Sequence, residues 1–142
     1  MPVRVLVPVD DSVAAHRALQ YIIKMKDQIP MSVTLLIVVP ESQLKYHGFQ
    51  PAQLEVIMAQ SVSHCEKVVE KHRLDLEEAG ILADTRVERG DPATMICQVA
   101  AREEVDFIII SPNSYGKLSN MMFGSVANKV VQECHSPVFL LR

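Results

Sequence analysis

Short apolar runs alternate with helical stripes along the chain, and the two periods can be separated by eye. Val3 to Val9 is apolar and β-branched, a first strand that ends at Asp10-Asp11-Ser12. Asp11 or Ser12 can cap the next helix, since either side chain accepts a bond from a free backbone N–H. Ala15, Ala18, Leu19, Ile22 and Ile23 then recur at helical spacing, and Pro30 closes the unit. Ser32 to Val39 reads as a second strand, followed by a polar connection from Pro40 to Gln50 that contains Tyr46 and Gly48. Pro51 suits the first turn of a long helix, where its missing N–H would be unpaired anyway. Leu54, Met58, Val62, Cys65, Val69 and Leu76 trace the buried face of that helix, and Gly80 stands where a left-handed C-terminal cap belongs.

Ile81 to Val87 alternates as an edge strand should, with Asp84 and Arg86 facing water. Gly90-Asp91-Pro92 combines a turn, a cap and a first helical residue, and Met95, Ile96, Val99 and Ala100 follow as an inward stripe. Phe107 to Ile110 is the most apolar run and so belongs inside the sheet. Ser125 to Cys134 reads as helix with Val126, Val130 and Val131 inward, and Pro137 to Leu141 as a last strand. A strand, helix and parallel strand in succession must cross over right-handed. The pattern therefore predicts an α/β fold: one domain over residues 1–142, a single open parallel five-stranded sheet in the order 3-2-1-4-5, helices on both faces. Strands 1 and 4 are then neighbours and the winding reverses between them, leaving a crevice at their carboxyl ends lined by Asp10 and Ser111.

Composition narrows the function. Seventeen acidic and 14 basic residues give a net charge of −3, without the basic run expected of a nucleic-acid binder or a membrane-surface helix. The longest apolar run, Leu35 to Val39, falls far short of the roughly 20 residues of a membrane span. Met1 to Arg4 leads into a strand-like run without a small-residue cleavage site, so a cytoplasmic protein is expected. Cys65, Cys97 and Cys134 are widely spaced, odd in number and free of CxxC pairing, and read as reduced thiols. His16, His47, His64, His72 and His135 form no HExxH or His-x3-His pair, so no metal site is expected. His16, His64 and His72 read as helix surface or interface, and the histidines as lying away from the crevice.

The segment from Ser111 to Ser125 leaves the apolar fourth strand and re-enters helix at Gly124-Ser125. A helix N-terminus offers unpaired N–H groups and partial positive charge, which suits an anion such as phosphate. Gly124 permits close approach, Ser125 adds a hydroxyl donor, and Lys117 adds a cation. The same two residues also make an ordinary helix cap.

Val9-Asp10-Asp11-Ser12, Gly90-Asp91-Pro92-Ala93, Phe107 to Ile110, Gly124-Ser125-Val126 and the closing Ser136 to Arg142, in this order and spacing, resemble the universal stress protein family. The resemblance runs from Val3 to Arg142 and implies a Rossmann-like build of the adenine nucleotide alpha hydrolase type. One branch of that family binds ATP through Gly-x2-Gly-x9-Gly-Ser/Thr after the fourth strand. On this chain the frame falls on Ser111, Ser114 and Gly124-Ser125, with Pro112 and Asn113 in the first gap and Tyr115 to Phe123 in the second. Serine replaces two of the three glycines. A left-handed φ at either serine would cost roughly 1–2 kcal/mol, and Pro112 lacks an N–H donor; a serine hydroxyl, conversely, can donate to phosphate.

The resemblance further implies that Pro8, Val9 and Asp10 at the end of the first strand, with Val38 of the second, hold base and ribose, while Val126 joins Ser125 at the helix start. It implies a small dimeric sensor of ATP or another adenine nucleotide in the stress response. Asp10 and Asp11 could hold Mg²⁺ on a triphosphate, which would allow slow hydrolysis. A nucleotide-free protein acting through protein contacts is the alternative. A slow ATPase is the third reading, although no GxxxxGK[ST], GxSxG or Ser–His–carboxylate arrangement is legible. Val138 to Leu141 is apolar on both faces yet falls at the sheet edge, which predicts a homodimer through this strand.

Overall fold

The computed structural model describes residues 2–41, 48–111 and 125–141. Five strands, β1 (Val3–Pro8), β2 (Met31–Pro40), β3 (Ala83–Gly90), β4 (Phe107–Ile110) and β5 (Val138–Leu140), form one sheet in the order β3-β2-β1-β4-β5. Every neighbouring pair is parallel. The described helices are α1 (Val13–Met25), α2 (Pro51–Glu78), α3 (Pro92–Arg102) and α4 (Ser125–Glu133). The predicted order and alternation are what the chain adopts.

Strand alternation divides the core into two layers. Val5, Val7, Val9, Val33, Leu35 and Ile37 point to the face covered by α1 and α2, where Ala18, Leu19, Ile22, Val69 and Leu76 meet them. Leu6, Leu36, Val38, Ile108 and Ile110 point the other way, under Ile96, Val99 and Ala100 of α3 and Ala127 and Val130 of α4. Burial on both faces explains why β1 and the end of β2 are almost uninterrupted apolar runs. Before β4, the Asp106 N–H donates to the Arg4 carbonyl at 2.7 Å and the Arg4 N–H donates to Asp106 Oδ2 at 2.8 Å. That reciprocal clasp ties the amino end of β1 to a residue 102 positions away.

Local signals set the helix ends. Ser12, not Asp11, caps α1, its Oγ accepting from the Ala15 N–H. Asp91 caps α3 through the Thr94 N–H and hydroxyl. Gly80, at φ 86°, ends α2: its N–H donates to the Glu77 carbonyl and the Ile81 N–H to that of Leu76. This is a Schellman cap, completed by apolar burial of Ile81 and Leu76 together. The Lys26 ammonium from the end of α1 donates to the Ala79 carbonyl beside it.

The cap also corrects the third strand. Ile81 is consumed in closing α2, so β3 begins at Ala83, and its pairing with β2 continues to Pro40↔Gly90, past the expected end at Val87. Asp84 is exposed as expected, but Arg86 is half-buried and its guanidinium donates to Glu103 Oε1 at 2.8 Å. Arg102 reaches Glu88 at 2.9 Å, so two ion pairs staple α3 to the edge strand. In α4 the inward face is rotated from the predicted one. Ala127 and Val130 are buried, Val126 is partly so, and Val131 is 49% exposed.

Cys97 in α3 and Cys134 just beyond α4 form a disulfide, with S–S 1.99 Å and Cα–Cα 5.0 Å, so they are not the reduced thiols read from spacing. Helix packing joins residues that sequence keeps 37 apart. Cys65 stays a free thiol, packed against the α1–α2 core layer, and burial pushes its pKa up. Closing a loop of this length restricts the unfolded chain by about 4 kcal/mol. Urea unfolding with and without reductant should show a loss of that order in the reduced protein, and a change below about 1 kcal/mol would contradict the loop-closure account.

Candidate functional site

The bridged pairs between β1 and β4 are Val5↔Phe107 and Leu6↔Ile108, although β1 runs to Pro8 and β4 to Ile110. The strands thus part at their carboxyl ends, where the winding of the sheet also reverses. On the other side β1 stays paired with β2 through Pro8↔Leu36, and the Val9 N–H extends the ladder by donating to the Leu36 carbonyl at 2.8 Å. Chain beyond this ladder opens at the switch point, the ordinary ligand position in such sheets.

Asp10 is the first polar residue past β1. Its Oδ1 accepts from the Ser12 N–H at 3.0 Å, a tight turn that leads into α1. Burial holds the Asp10 carboxyl above its ordinary range; bonds from Ser12 and the nearby His72 pull it down by less, and Asp11 adds to the upward push. The carboxylate is kept where its charge is disfavoured, poised to accept from a hydroxyl or amine.

His72 enters here against expectation. It lies on α2, only 8% exposed, with Nε2 3.0 Å from the Asp10 carbonyl oxygen. The carbonyl can only accept, so the ring carries its proton on Nε2, and Nδ1 is left buried without a partner among the described residues. The histidines are therefore not all remote from the crevice. A signal was present in the sequence: Cys65, Val69, His72 and Leu76 share one helical stripe, which places His72 on the buried face of α2. His64, nearer the start of α2, makes an exposed contact with Asp11 at 3.7 Å.

Other predicted positions differ in how they are held. Pro8 and Val9 are buried at the end of β1. Val38, 3% exposed, packs in the core layer beneath α3. Ser111 directly follows β4 and is buried at 4% exposure. Ser125 and Val126, half-buried, open α4. Pro112, Asn113, Ser114 and Gly124 lie outside the described residues, as does Lys117. Among the described residues no group of three or more His, Cys, Asp or Glu side chains could hold a metal ion. No described helix is long and apolar enough to cross a membrane.

A doubly wound parallel sheet whose β1–β4 ladder stops short at the switch point defines an α/β protein of Rossmann-like build. The chain belongs to the universal stress protein family, whose model matches residues 1–142. Universal stress protein MJ0531 of Methanocaldococcus jannaschii is 25% identical over 141 residues, covering 98% of this chain and 81% of its own length. Among solved structures, protein MJ0577 superposes with a TM-score of 0.85 at 25% identity, covering 97% of this chain and 94% of its own. More distant members share the fold. A universal stress protein in complex with cAMP has a TM-score of 0.67 at 15% identity, covering 99% of this chain and 96% of its own. The Archaeoglobus fulgidus protein in complex with dAMP has 0.65 at 17%, covering 99% and 98%.

Asp10→Asn tests the electrostatics directly. Asparagine keeps an acceptor for the Ser12 N–H and removes the buried charge. Because the folded carboxyl binds its proton more tightly than the unfolded one, the wild-type contribution falls as pH rises from the ordinary 3.8 through the raised folded value. The variant lacks this loss, so its urea midpoint should gain on wild type across that window and hold the lead to pH 7. A lead shrinking with rising pH would contradict the burial argument.

Proposed function

We propose that this chain is a dimeric stress-response sensor that takes an adenine nucleotide at the carboxyl ends of β1 and β4. One observation carries the reading: Asp10, a carboxylate whose ionisation burial opposes, is retained at the switch point. A purely structural helix start would be served as well by a neutral side chain, because Ser12 already caps α1. In this reading Asp10 accepts from the sugar or the base, Pro8, Val9 and the β2 backbone at Val38 flank them, and the phosphate meets Ser125 and Val126 at the start of α4. Ser111, Pro112, Asn113, Ser114 and Gly124 complete the loop by position in sequence. The complexes of family members with cAMP and dAMP support an adenine ligand. Mg²⁺ would arrive only with a triphosphate, Asp10 and Asp11 being the oxygen donors at hand. The chain acts as one unit in the cytoplasm, binding rather than turning over its ligand.

Calorimetric titration with AMP, cAMP and ATP, the last with and without Mg²⁺, tests the site. Binding in the micromolar range is expected, weakened about tenfold or more in Asp10→Ala, the size of a lost hydrogen bond to a charged group. A heatless titration at millimolar ligand, with no nucleotide released from denatured protein, would leave the nucleotide-free role through protein contacts.

The dimer is assigned to β5. This strand is the sheet edge opposite β3, pairs in the described chain with β4 alone, and presents Phe139 at 42% exposure. Tyr21 of α1 packs on that ring at 5.5 Å, extending the apolar surface. An apolar edge of this kind favours pairing with a second copy. Light scattering at tens of micromolar should give a dimer for the wild type and a monomer for Phe139→Lys; a monomeric wild type would contradict the assignment.

A further inference from the structure

The disulfide joins two helices that the fold treats unequally. α3 buries Pro92, Ala93, Ile96, Val99 and Ala100, whereas α4, nine residues long, buries only Ala127 and Val130. A helix this short is not stable alone and depends on docking. Its far end is fixed by Cys134, bonded to Cys97 near the middle of α3. The covalent ring so closed contains β4, Ser111 and the whole of α4 from Ser125. Both cysteines are half-buried, each keeping part of its surface in solvent.

We propose that Cys97 and Cys134 form a reversible thiol–disulfide exchange site for small thiols and disulfides of the glutathione class, whose state sets how firmly α4 is docked. In reduction, a small thiolate attacks one sulfur; a new S–S bond forms as the Cys97–Cys134 bond breaks, and the departing cysteine thiolate takes a proton from water. A second small thiolate attacks the mixed disulfide, releasing the small disulfide and the other cysteine. Two electrons pass from two small thiols to the protein, and oxidation reverses each step. Cys65 lies in the other core layer and takes no part.

A second consequence rests on the nucleotide reading above. If Ser125 meets the phosphate, freeing the end of α4 weakens binding, and by linkage bound nucleotide must favour the disulfide by the same factor.

Two readouts need no nucleotide. Cys65→Ser protein is equilibrated in glutathione buffers of stepped ratio, acid-quenched and alkylated, and its thiols are counted by mass. A reversible transition between none and two is expected; a pair that stays closed, or stays open, at every ratio overturns the exchange site. Amide hydrogen exchange then compares the two states. Residues 125–134 should exchange about tenfold faster when reduced, relative to α1, and equal rates would overturn the docking role. AMP affinity measured on both forms should differ by about threefold or more, with the glutathione midpoint displaced by the same factor under saturating AMP. Equal affinities overturn the coupling alone. Absence of binding in either state overturns the nucleotide reading, while the thiol count and exchange rates still decide the redox site.

Discussion

Val5 with Phe107 and Leu6 with Ile108 are the bridged pairs that hold β1 to β4, and this short ladder governs the rest of the molecule. It sets β1 between β2 and β4, so both faces and both edges of the first strand are used. It also ends early, so the two strands separate just where the chain reverses its winding. A longer ladder would seal the opening, and a different neighbour for β1 would move it. Asp10 and Ser111, just past β1 and β4, lie at the same end of the sheet because these strands are paired in parallel.

Polar groups at this opening are placed against their own solvation. The Asp10 carboxylate is partly buried, its backbone carbonyl is engaged by a buried histidine, and the other nitrogen of that ring has no partner among the described residues. Each arrangement costs stability compared with an apolar alternative of similar shape. The surrounding core can bear this because two apolar layers, one on each side of the sheet, are filled with Val, Leu and Ile. Rigid packing around a disfavoured charge is how a site is held ready for a partner that offers donors.

The fold was legible because local and global signals agreed. Strand runs, caps at Asp91 and Gly80 and the apolar stripes of α1 and α3 all report short-range physics that a sequence displays directly. Errors arose where packing decided. Ile81 looked like strand but closes α2; Val131 matched helical spacing but α4 is turned about its axis toward Ala127 and Val130. Spacing could not reveal the Cys97–Cys134 bond, since it depends on how α3 and α4 lie side by side. The placement of Asp10 and Ser111 just past β1 and β4 follows from strand order alone, whereas His72 shows in the sequence only as a polar residue on an apolar stripe and reads as helix surface or interface.

The reciprocal bonds between Arg4 and Asp106 carry a consequence for biosynthesis. β1 is the innermost strand of the sheet, yet Asp106, which leads into its second neighbour, is synthesised 102 residues after Arg4. Until then β1 has one open edge and an uncovered apolar face, the condition in which nascent chains associate wrongly. High separation between partners also slows closure. Vectorial synthesis thus leaves the sheet without its β4–β5 side until Phe107 and the residues after it have emerged.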